Sequence, residues 1–281
     1  MSLLVLPPES AIYRALSRLL VEADYVFFAG LPGAGKSLLL QQLALMALAD
    51  RRQVTLLQWD VARQAFESPR FPLANGATHP LVIQATGLWL RGALAAWEAA
   101  REPAVDLLIG EVPLIGGRMM EIARPAADEA EALLRHERTQ FLIPVPSRRV
   151  RARIEARRAA TIANPQHDNE AHDAPPDLLR ALWQELLQVA AALGLGTPSA
   201  QDAPYSPDVY AALYRHLLRH RNAQVLPIEQ TLRPGQSVYA LDAELPSLQA
   251  SAAEARSILA QLESSMTLAQ VLAAAANWHE V

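Results

Sequence analysis

The stretch FFAGLPGAGKSLLLQQLA, residues 27–44, sets three glycines, a lysine and a serine between an aromatic apolar run and a leucine-rich one. Tyr25 to Ala29 has the aromatic and β-branched character of a buried strand, and Ser37 to Ala49 is rich in strong helix formers. Between them, Gly30, Leu31, Pro32, Gly33, Ala34, Gly35, Lys36 and Ser37 satisfy the pattern G-x-x-x-x-G-K-[ST] in the required order of strand, loop and helix.

The pattern has a physical meaning. Glycines allow backbone angles at which successive N–H groups point inward as an anion nest, and the following helix adds its positive end. Lysine is the compact cation for such a nest, and a serine hydroxyl there can ligate a divalent metal. Of 25 Lys and Arg residues a single one, Lys36, is lysine. A composition that uses arginine at every other basic position keeps the small ammonium where a planar guanidinium would not fit beside phosphate oxygens. On these residues the chain resembles the P-loop NTPase superfamily. The resemblance covers about residues 24–160 and implies ATP held by residues 30–37, with Mg2+ on Ser37.

Outward from the loop, four more runs read as strands and predict a three-layer α/β/α fold on a five-stranded parallel sheet. Val54 to Gln58 leads into Trp59, Asp60, Val61, Ala62 and Arg63. In an open parallel sheet, ligands bind beyond the carboxyl ends of the strands, so Asp60 and Arg63 share the rim of the glycine loop. There Asp60 can orient a substrate hydroxyl or take its proton, and Arg63 can pair with a substrate anion. The D-x-x-R arrangement is similar to that of small-molecule and zeta-toxin-type kinases; an aspartate capping the next helix beside a surface arginine is the other reading.

Asp106 to Gly110, followed by Glu111, is the third strand. Asp106 and Glu111 lie roughly 16 Å apart along it. Only Glu111 is on the loop's rim, which assigns it to the metal shell or to the attacking hydroxyl, and leaves Asp106 a strand-entry role. Pro113 to Arg118 reads as a phosphate-sized loop carrying an arginine, or as a plain connection, before a helix over about 119–135.

The fourth strand, Gln140 to Val145, runs into residues 148–158, where six of eleven positions are arginine. Arg149, Arg153 and Arg157 follow i, i+4, i+8 and share one helical face, with Val150 and Ile154 packing inward. The stretch looks like the lid helix of small kinases, which implies arginines that stabilise the transferring phosphoryl group; a solvated arginine face is the alternative. Residues 164–176 hold His167 and His172, spaced five apart in a loop and so unsuited to a helical metal pair. The fifth strand, Gln224 to Ile228, follows helices near 177–193 and 207–219, with a hinge expected at 198–206. Helices over 248–263 and 267–279 close the chain.

The organisation expected is a P-loop core over 1–145, an arginine-rich lid and helical insertion over 146–222, and a final strand with C-terminal helices over 223–281. The chain is 51% hydrophobic and 19% charged with a formal net charge of -4, the balance of a globular protein with a full core and no general attraction to nucleic acid. No uninterrupted apolar run is long enough for a membrane span or a secretory leader, and the absence of cysteine excludes disulfides and thiolate chemistry, so a cytoplasmic location is expected. The function expected is transfer of the γ-phosphoryl group of Mg-ATP to a hydroxyl of a small molecule: a nucleoside, a nucleotide sugar or a hydroxy acid. The alternative is a regulatory ATPase whose insertion contacts a protein partner. A Ras-like GTPase is excluded because its base-reading motif needs a second lysine.

Overall fold

A computed structural model of the chain describes residues 4–73, 77–165, 174–196, 203–232, 237 and 244–281. Five parallel strands, β1 (Tyr25–Ala29), β2 (Gln53–Gln58), β3 (Asp106–Val112), β4 (Thr139–Pro146) and β5 (Ala223–Ile228), form one sheet in the order β2-β3-β1-β4-β5. All five residues of β1 are buried. This is why its sequence is continuously apolar: a central parallel strand is covered on both faces.

Alternation along β1 divides the core. Val26 and Phe28 pack with α1 (Ala11–Glu22) and α2 (Lys36–Ala49) on one face. Tyr25, Phe27 and Ala29 face the other layer, whose helices include α4 (Pro80–Ala100), α5 (Glu129–Arg135), α7 (Pro176–Ala192) and α8 (Pro207–Leu217). The short α3 (Trp59–Ala62) follows β2, and α6 (Arg148–Ala163) follows β4. The closing helices α9 (Ala252–Ser265) and α10 (Leu268–Ala276) begin with the capping boxes of Ser251 and Thr267 and lie against α4. A backbone bridge from Leu56 to the segment around Ser247 covers the outer edge of β2.

Three elements depart from the sequence reading. The long α4, started by His79 as cap and Pro80 in its first turn, was not anticipated. The helix expected over 119–135 is broken into a 3-10 turn at Met120–Ile122 and the shorter α5. Pro125 accounts for the break, since the residue before a proline avoids the helical region. Finally, α7 and α8 place Trp183, Leu186, Tyr210 and Tyr214 in the same buried cluster as Tyr25 and Phe27, so residues within 146–222 complete one layer of the core. His167 and His172 lie outside the described residues, as does most of the stretch read as a hinge. Among the described residues no single helix is long and apolar enough to cross a membrane.

Candidate functional site

Order in the sheet positions the site. The chain leaves β1 toward β2 and leaves β4 toward β5, in opposite directions, which opens a crevice beyond the carboxyl ends of the strands. The glycine loop occupies that crevice. Gly30 N–H donates to Val112 O at 3.2 Å, tying the loop to the end of β3. Gly33 (φ +74°) and Gly35 (φ +92°) adopt the left-handed conformation, and Gly35 stands where α2 would carry a capping side chain. With no side-chain cap, the first-turn amides of α2 are open to an anion.

Lys36 and Ser37 converge on Glu111. Ser37 Oγ donates to Glu111 Oε2 at 2.8 Å, and Lys36 Nζ lies 3.8 Å from Oε1 while donating to Leu31 O at 3.1 Å. The lysine side chain is 4% exposed; burial pushes its ammonium pKa down, and the Glu111 carboxylate opposes that. Glu111 belongs to β3 itself, in register with Phe28 of β1 and Gln58 of β2. Two hard oxygen donors beside an uncapped helix start fit Mg2+, which takes one or two protein oxygens and completes its shell with other oxygen ligands and water. Asp106, at the opposite end of β3, accepts from Glu102 N–H at 2.7 Å, the strand-entry role expected of it.

Two side chains that brace the glycine loop, Tyr210 and Arg151, and one that fastens the segment after β3, Tyr214, are not evident from the sequence. Leu31 N–H donates to the buried Tyr210 Oη at 3.2 Å, and Tyr214 Oη donates to Pro113 O at 2.8 Å. The two tyrosines are four apart on α8, the spacing that puts them on one face, and burial raises both phenol pKa values, keeping them protonated. Arg151 donates through Nη1 to Pro32 O at 2.9 Å and through Nε to Glu155 Oε1 at 2.7 Å. Its guanidinium lies 5.7 Å from the Tyr205 ring centre, and its Nη2 is buried without a hydrogen-bond partner.

A cavity of about 1280 Å³ surrounds the loop. Strand order gives it two flanks. On the β2–β3 side it is lined by Asp60, Arg63, Arg118 and Glu185; on the β4–β5 side by the apolar Val150, Ile154, Ile228 and Leu232. Asp60 does not cap α3, whose N-cap is Gln58; it lies in the first turn, largely exposed, 3.1 Å from Arg63 Nε. Arg63 also pairs with Glu67.

The arginines of α6 divide differently from the expected face. Arg157 lines the cavity, but Arg149 is exposed and donates to Glu229 O at 3.3 Å, and Arg153 is exposed outside the cavity lining. Val150 and Ile154 turn inward, which carries Arg157, Arg158 and Thr161 to the cavity on the following turns and buries Arg151 against the glycine loop. No family model, curated protein or solved structure matches this chain.

Proposed function

We propose that the chain is an ATP-dependent phosphotransferase of the P-loop kind, moving the γ-phosphoryl group of Mg-ATP to a hydroxyl of a small molecule. One observation carries the reading: Lys36, Ser37 and Glu111 meet beneath an uncapped helix start that follows two left-handed glycines. In this reading residues 30–37 cradle the phosphates, and Lys36 exchanges its bond to Leu31 O for phosphate oxygens. Ser37 and Glu111 would hold Mg2+, which would supply positive charge to offset that of the phosphates. The apolar β4–β5 flank suits a base. Asp60, on the opposite flank, orients the acceptor hydroxyl, and Arg157 approaches the phosphates from α6. Positioning and electrostatics then supply the catalysis.

The test is ATP consumption with Mg2+ across nucleosides, nucleotide sugars and hydroxy acids, run beside Lys36→Ala. Turnover stimulated by one acceptor class and abolished in the variant, with a melting temperature close to wild type, is the expected result. Unchanged turnover in Lys36→Ala would overturn the reading. ATP binding with slow, acceptor-independent hydrolysis would point to a regulatory ATPase.

A further inference from the structure

The β3–α5 connection spends backbone strain to hold one side chain. Leu114 (φ +62°), Gly116 (+64°), Gly117 (+83°) and Met119 (+60°) all have positive φ; Met119 is left-handed α, whereas Leu114, at ψ -40°, lies outside even that region. Leu114 and Met119 are fully buried, bulky residues, for which such sparsely populated backbone angles cost roughly 1–3 kcal/mol each. The loop is closed by Leu114 N–H to Arg118 O and Gly117 N–H to Leu114 O, both 3.0 Å, and is fastened at Pro113 by Tyr214. The charged side chain that this over-determined loop presents to the cavity, beside Pro113, Ile115 and Gly116, is Arg118. Strain of this kind persists where the geometry it fixes has a use.

Arg118 is a cation of the β2–β3 flank whose bonding is incomplete. Nη1 donates to Ile115 O at 2.9 Å, and among the described residues the guanidinium forms no ion pair. The surrounding carboxylates, by contrast, have donors already. Asp60 and Glu67 share Arg63, Glu185 accepts from Trp278 Nε1 at 3.1 Å, and Glu111 accepts from Ser37. A guanidinium with free N–H groups at a cavity wall matches the two oxygens of a phosphate or carboxylate. There is also room for a second ligand: about 1280 Å³ exceeds the roughly 300–1,000 Å³ of a single-ligand pocket.

We propose that the β2–β3 flank is the acceptor subsite, and that it selects a hydroxyl compound bearing a phosphate or carboxylate seated on Arg118. The assignment rests on the phosphotransferase reading. The anion docks on Arg118 and the hydroxyl turns toward Asp60, on the same wall, so the group that binds and the group that reacts are separate.

The test uses the full chain saturated with Mg2+ and a non-hydrolysable ATP analogue, titrated with glycerol 3-phosphate, glycerate and glycerol by calorimetry. One anionic probe is expected to bind at least about tenfold more tightly than glycerol, and the tighter of the two assigns phosphate or carboxylate. Arg118→Gln should remove that preference while analogue affinity stays within about twofold. Equal binding of the three probes to wild type, or an undiminished preference in Arg118→Gln, overturns the assignment. If Arg118→Gln loses the analogue as well, Arg118→Lys decides: weakened anion preference with retained analogue supports the subsite, and an unchanged preference overturns it. Failure of wild type to bind the analogue removes the phosphotransferase reading itself, which no loss confined to the anion would do.

Discussion

Gly30 and Tyr210 occupy a space that admits only one of them with a side chain beyond its backbone. A Cβ on Gly30 would come within 2.3 Å of Tyr210 Oη and 3.7 Å of its Cζ, so the clash is with the oxygen and not with the ring. The first glycine of the loop therefore has a structural use of its own: it admits the hydroxyl that accepts Leu31 N–H. Tyr210→Phe leaves that buried amide without its acceptor and should cost about 1–3 kcal/mol. Gly30→Ala should be severely destabilising in the wild-type background and much less so with Tyr210→Phe, because removing the oxygen removes the obstruction. Chemical denaturation of the two single variants and the double variant measures the coupling. Strictly additive costs would show that the hydroxyl is not what the glycine accommodates.

Helix α6 shows how far an element can be read from its sequence. Its existence and its start are plain: Ser147 caps it, accepting from Val150 N–H, and arginine is a good helix former. The arginine spacing 149, 153, 157 gives one face, but the direction of that face is set by the apolar pair, not by the charges. Val150 and Ile154 must turn inward, and positions 157, 158 and 161 continue their stripe. Arg149 and Arg153 are thereby turned away from the cavity, and Arg151 is buried. Arg151→Ala should weaken nucleotide binding and lower stability by about 1–3 kcal/mol, since Pro32 O and Glu155 lose their donor. Arg149→Ala and Arg153→Ala, on the exposed face, should stay within about 0.5 kcal/mol and bind nucleotide normally. Equal effects of all three on a nucleotide titration would mean the charge density of the helix matters more than its register. The glycine loop and the five strands were legible because period and motif are local. Tyr210, Tyr214 and the folded-back Arg118 were not, because the tyrosines act across 179 and 101 residues of separation and Arg118 is placed by backbone angles that no residue type announces.

Across the whole molecule, opposing carboxyl environments set how stability depends on pH. Burial would raise the pKa of Asp24, but hydrogen bonds from Arg138 and the charges of Arg101 and Arg52 hold it below its ordinary value. Glu131 is likewise buried in part, yet Arg221 and Arg91 bring it down to about 2. Folded pKa values below the unfolded ones give stability that is present above the usual carboxylate range and is lost on acidification. Glu121 behaves in the opposite sense. Its Oε2 is buried without a hydrogen-bond partner, and desolvation raises its pKa from 4.5 to about 7, against the weaker pull of Arg124 and Arg91. The folded chain then holds that proton more tightly than the unfolded one, so stability is full below 4.5 and declines as the pH rises through about 7. At about 1.4 kcal/mol per pKa unit, the loss on the alkaline side is on the order of 3 kcal/mol. Maximal stability is therefore expected at about pH 4.5–5, where the acid-side gain is nearly complete and the loss through Glu121 has only begun. Urea unfolding at pH 5.5 and pH 8 should show wild type weaker at the higher pH, and Glu121→Gln, which cannot ionise, should flatten that difference without removing the fall in strong acid. Parallel pH profiles for the two proteins would mean that Glu121 reaches water when it ionises, and that the packing of the loop around it is looser than the arrangement of Met120 and Ile122 on either side implies.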